Sequence, residues 1–266
     1  MQPRDSEKPY RVSGDLLENK MYHFFAEAAD IAERDIFLRG ENYNQIKNVL
    51  RMKQGEVISV YDGISDKEYR CHIDDYTEDT VHCRLDFIKE ADTELPVRVY
   101  LFQSLPKSDK MELIVQKAVE LGVSEIIPVA SKRCVVRLDA KKADAKRTRW
   151  QSIAEAAAKQ SARNNVPAIH DILSFDEALS YAEKCDVRII PYELAEDFAR
   201  TKKIIDSLKT GGSVAVFIGP EGGYAEEEVD AAKEAGAVPV TLGRRILRTE
   251  TAAMVVLSWL IYRFEK

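Results

Sequence analysis

Long apolar runs are missing from this chain: no stretch of roughly 18 apolar residues occurs, so no helix is expected to span a membrane. The amino terminus lacks an apolar central region and a small-residue cleavage site, so no secretory leader is expected and the expected location is the cytoplasm. Cysteine is scarce. The four, at positions 71, 83, 134 and 185, form no C-x-x-C pair, which argues against a disulfide framework and for reduced, mostly buried thiols. Cys71-His72 and His82-Cys83 could oppose each other across a hairpin, but neighbouring strand residues point to opposite faces, so no metal site is expected. Positive charge is not in excess either. Against 39 Lys and Arg stand 45 Asp and Glu, a net charge of -6, so an indiscriminate polyanion binder is excluded and any RNA contact requires a local basic patch. The chain also has no G-x-x-x-x-G-K-[ST] loop for nucleotide phosphates.

What is present is an ordinary balance, 45% hydrophobic and 32% charged, with ample material for a core. At 266 residues the chain should form one large or two unequal domains. Residues 213–224 read Ser-Val-Ala-Val-Phe-Ile-Gly-Pro-Glu-Gly-Gly-Tyr, a buried strand that ends abruptly in a glycine loop. Residues 238–253 read Val-Pro-Val-Thr-Leu-Gly-Arg-Arg-Ile-Leu-Arg-Thr-Glu-Thr-Ala-Ala, a shorter strand, a basic loop and a helix start at Thr249 or Glu250. Two loops leaving the carboxyl ends of neighbouring strands are expected to form a ligand crevice. Glycine lets backbone groups approach a ligand, Pro220 stiffens its loop, and Glu221 and Glu250 suit a ligand with positive charge.

Residues 1–20 are polar and aperiodic and read as a disordered leader or alternative start ahead of Met21. From residue 21 to 92 the signals are mostly β: short strands near 35–38, 56–61, 67–73 and 80–88, with turn chemistry at Asp62-Gly63 and Asp74-Asp75, suggest a small barrel. One helical segment, 42–50, leads into Arg51 and Lys53. After a charged linker, strands at 97–103, 123–130 and 187–190 alternate with helices near 111–121, 143–160, 174 onward and 197–208, which predicts a parallel sheet covered on both faces.

The two glycine loops resemble the C-terminal signature of the SPOUT class of S-adenosylmethionine-dependent RNA methyltransferases. Within it the chain is similar to the ribosomal RNA small subunit methyltransferase E family, which methylates N3 of uracil-1498 in 16S rRNA. The resemblance extends to Asn48-Val-Leu-Arg-Met52, Tyr61-Asp-Gly63, Lys110-Met-Glu, residues 116–123, Arg133-Cys134 and residues 160–167, so it covers nearly everything from Met21 onward. Tyr224-Ala225 departs from the Leu or Phe followed by Ser that is commoner there, which weakens the cap of the helix near 226–235.

The resemblance implies an α/β fold: a SPOUT-type parallel sheet with a C-terminal trefoil knot (residues 93–266), preceded by a PUA-like RNA-binding β-barrel (21–92). The knot would include residues 191–193, 219–223 and 242–251. A homodimer is also implied, with the apolar helix from Thr251 buried between core and partner; complete burial within one chain is the alternative. S-adenosylmethionine would be held by Pro191, Gly219, Pro220, Glu221, Gly222, Leu242, Gly243, Ile246, Leu247 and Thr251, mostly through backbone. A role for Glu221 inside its loop is favoured over catalysis.

Uracil N3 becomes a nucleophile only as its proton leaves, so the enzyme must stabilise an imide anion and offer a proton route. Arg248 is the candidate for the anion, because its fixed charge and planar donors can meet a uracil oxygen. Glu250 is the candidate base or positioning group; the competing view is that Glu250 complements a helix end that Thr249 caps. Arg51, Lys53, Lys107, Lys110, Lys132, Arg133, Arg137 and Arg163 are candidate contacts to 16S rRNA in the small ribosomal subunit, each otherwise a solvated charge. Asn164 and Asn165 add amides able to read unpaired bases. A related methyltransferase with another RNA target, or a non-catalytic RNA-binding or assembly factor, is the alternative.

Overall fold

The computed structural model describes residues 21–90, 93–195 and 197–265; the expected leader at 1–20 lies outside them. The chain divides into two compact units, one comprising the chain up to Val60 with Tyr69–Lys89, the other Tyr61–Glu68 with Glu90–Lys266. Among the described residues no helix is long and apolar enough to cross a membrane.

The first unit contains β1 (His23–Phe25), β2 (Asp35–Arg39), the short α1 (Glu41–Asn44) continued by a π-helical turn Gln45–Val49, β3 (Val57–Tyr61), β4 (Lys67–Tyr76) and β5 (Thr80–Glu90). They form one curled five-stranded sheet in the order β1-β3-β4-β5-β2. Strand alternation sends Ile58, Val60, Cys71, Ile73, Val81 and Cys83 inward, where Phe24, Ile36, Leu38 and Ile46 complete the core. β1 carries no sequence signal that separates it from a loop; its three residues pair only because this core needs covering. His72 and His82 face away from the two buried cysteines, each 2.7 Å from a carboxylate oxygen of Asp86 and Asp35 respectively. The adjacent Cys83 thiol, with burial, raises the Cys71 pKa and keeps it a thiol.

The second unit adds β6 (Arg98–Ser104), α2 (Lys110–Glu120), β7 (Glu125–Ala130), α3 (Ala140–Gln160), β8 (Ala168–Ile169), β9 (Leu173–Ser174), α4 (Phe175–Ala182), β10 (Val187–Pro191), α5 (Phe198–Ser207), β11 (Ser213–Ile218), α6 (Glu226–Glu234), β12 (Val238–Val240) and α7 (Thr249–Phe264). Its sheet runs β12-β10-β11-β6-β7-β8, with β9 beside β7, and every defined pair is parallel. All six residues of β11 are buried, as a strand covered on both faces requires. On one face Phe102 stacks on Phe217 at 4.4 Å, and Phe175 of α4 meets Phe217 edge-on at 6.1 Å. Helix starts follow the sequence: Asp139, Ser174 and Asp197 cap α3, α4 and α5.

One expectation is corrected. The strands before the two glycine loops are not neighbours, because β10 lies between β11 and β12. Periodicity marks a strand but carries no record of its pairing partner, so the place of β10 between them, which brings residues 191–193 to the same edge, is not legible in it. Helix α7 buries Ala253, Val256, Leu257, Leu260 and Phe264 while Tyr262 is 91% exposed, so the helix is not wholly buried within one chain.

Candidate active site

At the carboxyl edge of the parallel sheet three loops enclose a cavity of about 370 Å³. Pro191, Tyr192 and Glu193 come from the end of β10; Gly219, Pro220, Glu221, Gly223 and Tyr224 follow β11; residues 241–249 and Ala252 lead from β12 into α7. The Tyr192 N–H donates to the Val240 carbonyl at 3.0 Å, which extends the β10–β12 pairing into the wall of the cavity. Two carboxylates, Glu193 and Glu221, and three guanidinium groups, Arg244, Arg245 and Arg248, share this lining with apolar Leu242, Ile246 and Leu247.

The loop after β11 is fastened at each residue. Gly223 N–H closes a turn onto the Pro220 carbonyl at 2.9 Å. A Cβ on Gly219 would lie 3.3 Å from the Tyr224 ring beneath it, so only glycine lets the ring support the loop from below. Glu221 accepts from the Lys107 backbone N–H at 3.1 Å and from the Lys110 ammonium at 2.9 Å. Burial alone would raise its pKa, but Lys110 and the two backbone N–H groups of Glu221 and Lys107 outweigh it and hold the carboxyl below the usual range. The same contact raises the Lys110 pKa.

The loop after β12 is built differently. Gly243 sits at φ +104°, a left-handed conformation that side chains resist, and its N–H donates to Thr241 Oγ1 at 3.2 Å. From there Arg244, Arg245 and Ile246 stand exposed, Ile246 by 91%. Thr249 is buried and does not cap α7: its hydroxyl donates to the Gly219 carbonyl at 2.7 Å and accepts from Gln103 Nε2 at 2.9 Å. Arg248, in the N-cap position, makes no side-chain cap. Glu250 occupies the first turn of α7, where its charge complements the helix dipole, and one carboxylate oxygen lies 3.5 Å from Lys110. That oxygen is buried and accepts no hydrogen bond among the described residues.

Most expected cofactor positions thus meet in one cavity, and Arg248 lies among them. Two cofactor positions, Gly222 and Thr251, and the catalytic candidate Glu250 do not line it. Gly222 faces Arg133, whose guanidinium donates to the Gly222 carbonyl at 3.0 Å. Thr251 is exposed, because a helix begun at residue 249 turns residues 249 and 252 to the cavity and 251 away. Glu250 likewise points beside the cavity, toward Lys110.

Among the expected RNA contacts Arg163 is corrected. It is only 4% exposed, donates to the Val119 and Val123 carbonyls at 2.9 and 2.8 Å and pairs with Glu94, so its donors close the carboxyl end of α2. Asn164 is also fully buried, its amide donating to the Ser65 carbonyl and Asp66, both at 3.1 Å, rather than facing solvent. Lys132 donates its backbone N–H to Glu228 at 2.7 Å and pairs with Glu227. Glu228 in turn accepts the Ala225 N–H at 2.9 Å, the half of a capping box that needs no side chain at residue 225. Lys107 and Arg137 are exposed in the second unit, and Arg51 and Lys53 are exposed in the first. Sequence reasoning missed Gln103 and the tether role of Thr249, since neither belongs to a motif that announces buried polar contacts.

Residues 93–261 match the RNA methyltransferase domain family and residues 38–86 the RNA methyltransferase PUA domain family. The ribosomal RNA small subunit methyltransferase E of Bacillus subtilis is 39% identical over 92% of this chain and 98% of its own length. The crystal structure of the Neisseria gonorrhoeae protein of the same name, bound to S-adenosylmethionine, superposes with a TM-score of 0.77 at 32% identity, covering 92% of this chain and 98% of that one. A Legionella pneumophila structure assigned as a methyltransferase, in complex with the same cofactor, gives a TM-score of 0.80 at 30% identity with the same coverage. With both family matches in order along the chain and near full-length identity to a named relative, this protein belongs to the ribosomal RNA small subunit methyltransferase E family.

Proposed function

We propose that the chain methylates N3 of uracil-1498 in the 16S rRNA of the small ribosomal subunit, using S-adenosylmethionine held in the cavity between the three loops. The supporting observation is that cavity's make-up: glycine backbone, apolar side chains and both signs of charge in about 370 Å³, within the usual range for small-molecule sites. A cofactor with a flat base, a positive sulfonium and a zwitterionic amino-acid end needs that combination. Leu242, Ile246 and Leu247 would flank the adenine, with Gly219 and Gly243 allowing close approach and Pro191, Pro220 and Glu221 completing the wall. Ile246, so exposed in the free protein, gains most from being covered.

When bound, the cofactor supplies an electrophilic methyl group on a positively charged sulfur. Arg248 stabilises the imide anion that develops as N3 loses its proton, by facing a uracil carbonyl oxygen with a charge that does not titrate. Glu250 serves as a positioning group, since its carboxylate is paired with Lys110 outside the cavity lining. Arg51 and Lys53 of the PUA-like unit, and Lys107, Lys110, Lys132, Arg133 and Arg137 of the methyltransferase unit, supply basic RNA contacts; Arg163 is withdrawn from that set. Pairing of Lys110, Lys132 and Arg133 with protein groups reduces their share relative to Lys107 and Arg137.

Domains of 21–92 and 93–266, a trefoil knot through residues 191–193, 219–223 and 242–251, a cytoplasmic location and a homodimer complete the proposal. The exposed Tyr262, and Trp259 in edge-on contact with the half-exposed Phe198 at 5.9 Å, give the dimer an aromatic face on α7 and α5. The test is calorimetric titration with S-adenosylmethionine followed by nucleoside analysis of 16S rRNA treated with the protein, as naked RNA and as assembled subunit. One cofactor bound per chain and an N3-methyluridine at position 1498 are expected. A ribose methyl or another base would reassign the target, and absence of cofactor binding by folded protein, with or without RNA, would overturn the enzyme.

A further inference from the structure

Gln103 and Ser104 are consecutive residues at the carboxyl end of β6, so their side chains leave opposite faces of the sheet. Both end beneath the loop that follows β11. On one face Ser104 Oγ donates to Tyr224 OH at 3.3 Å, and the Tyr224 ring lies directly under Gly219. On the other face Gln103 Nε2 donates to the Ser104 carbonyl and to Thr249 Oγ1, each at 2.9 Å. The Ser104 carbonyl can only accept, so it fixes which end of the amide points toward it. Nε2 then occupies a lone pair of Thr249 Oγ1 and leaves that hydroxyl free to donate, which it does, to the Gly219 carbonyl at 2.7 Å.

The polarity of the whole path is therefore set from β6: amide to hydroxyl to carbonyl. Gln103 is fully buried and does not line the cavity, and its Oε1 accepts no hydrogen bond among the described residues. An orphaned buried acceptor is unfavourable, and a shorter apolar side chain would have avoided it. Its retention is explained by what Nε2 holds. Thr249 stands between Arg248, which lines the cavity, and Glu250, so one hydroxyl ties the cofactor loop to the start of the helix that Arg248 precedes.

We propose that Gln103 and Thr249 are a positioning pair that sets the Gly219 carbonyl, and with it the seat of the cofactor, relative to Arg248. This rests on the cavity being the S-adenosylmethionine site. The experiment titrates S-adenosylmethionine into the full chain and into Thr249→Val, Thr249→Ser, Gln103→Met and the Thr249→Val/Gln103→Met double variant, with melting temperatures recorded for each. Thr249→Val and Gln103→Met are expected to raise Kd about tenfold, the worth of one neutral hydrogen bond, at unchanged stoichiometry. Thr249→Ser should restore binding to within about threefold, and the double variant should match Thr249→Val, because Gln103 acts through Thr249. Wild-type affinity in folded Thr249→Val and Gln103→Met would overturn the proposal, as would losses that multiply in the double variant. If Thr249→Val does not fold, weakened binding by Gln103→Met beside normal binding by Thr249→Ser decides in its favour, and normal binding by both decides against. Amide hydrogen exchange at residues 219–223 in the free protein gives a readout independent of the cofactor. Faster exchange in the variants with no cofactor binding by the wild type would sink the cofactor assignment alone, whereas unchanged exchange with normal wild-type binding would sink the positioning pair alone.

Discussion

The two glycine loops both line the cavity and are held in opposite ways. The 219–223 loop is tied by Thr249 at its first carbonyl, by Lys107 and Lys110 at Glu221, by Arg133 at the Gly222 carbonyl and by its own Pro220–Gly223 turn. In the 242–248 loop, by contrast, residues 244–248 make no side-chain hydrogen bond or ion pair among the described residues, and their charges and Ile246 face solvent. One loop is a preformed wall and the other keeps its side chains free for ligands. A site that must seat a cofactor and admit an RNA base needs both: fixed geometry where the methyl donor rests, uncommitted charge where the acceptor enters.

The sharpest break in that comparison comes from the free loop's last residue. Arg248→Ala should lower single-turnover methyl transfer on the order of 100-fold or more while changing the cofactor Kd only a few-fold. A parallel loss in both would make Arg248 part of the cofactor seat instead. Next is the preformed wall: Gly219→Val places a branched side chain against the Tyr224 ring and is expected to abolish calorimetric binding of S-adenosylmethionine while the protein stays folded. Retained affinity would show that this wall does not set the seat.

Glu221→Gln gives a smaller, pH-dependent effect. Because the folded-state pKa of Glu221 is lowered, its carboxylate adds stability at pH values above the ordinary 4.5 and loses it as pH falls through the folded value. The wild type should therefore melt a few degrees above the variant near neutral pH, and the gap should close as pH falls below 4.5 and through the lowered folded value. A gap that persists in acid would assign the stabilisation to packing. Smallest of all is Arg244→Ala/Arg245→Ala, for which the melting temperature should be unchanged and RNA affinity should fall with a shallower salt dependence. Hydrogen exchange with and without cofactor would refine the contrast itself: added protection should concentrate in residues 242–248, and equal gains in both loops would erase it.

How far the site was legible in sequence follows the same division. Gly219, Pro220, Leu242, Gly243 and Arg248 were expected from the motifs that resemble the family's, and the fold brings all five to one cavity. Arg163 and Asn164 misled. A polar residue after a helix reads as solvent-facing, yet here the free carbonyls of α2 and the 61–68 segment needed donors, and a buried guanidinium and amide supplied them. Gly222 and Thr251 missed the cavity by a single residue's change of direction, which a motif does not encode.

By itself the sequence determined the alternation of strands and helices and the mostly β character of the first unit, and its motifs carried the resemblance to the family. The first two follow from neighbours along the chain, through periodicity and turn chemistry, whereas the third rests on the likeness of the motifs to those of the family. Only the tertiary structure decided that β10 separates β11 from β12 and that Gln103 holds Thr249 across 146 positions of sequence. Strand order and long-range hydrogen bonds are chosen by which arrangement buries the most apolar surface with its polar groups satisfied, a property of the whole chain that no local stretch contains.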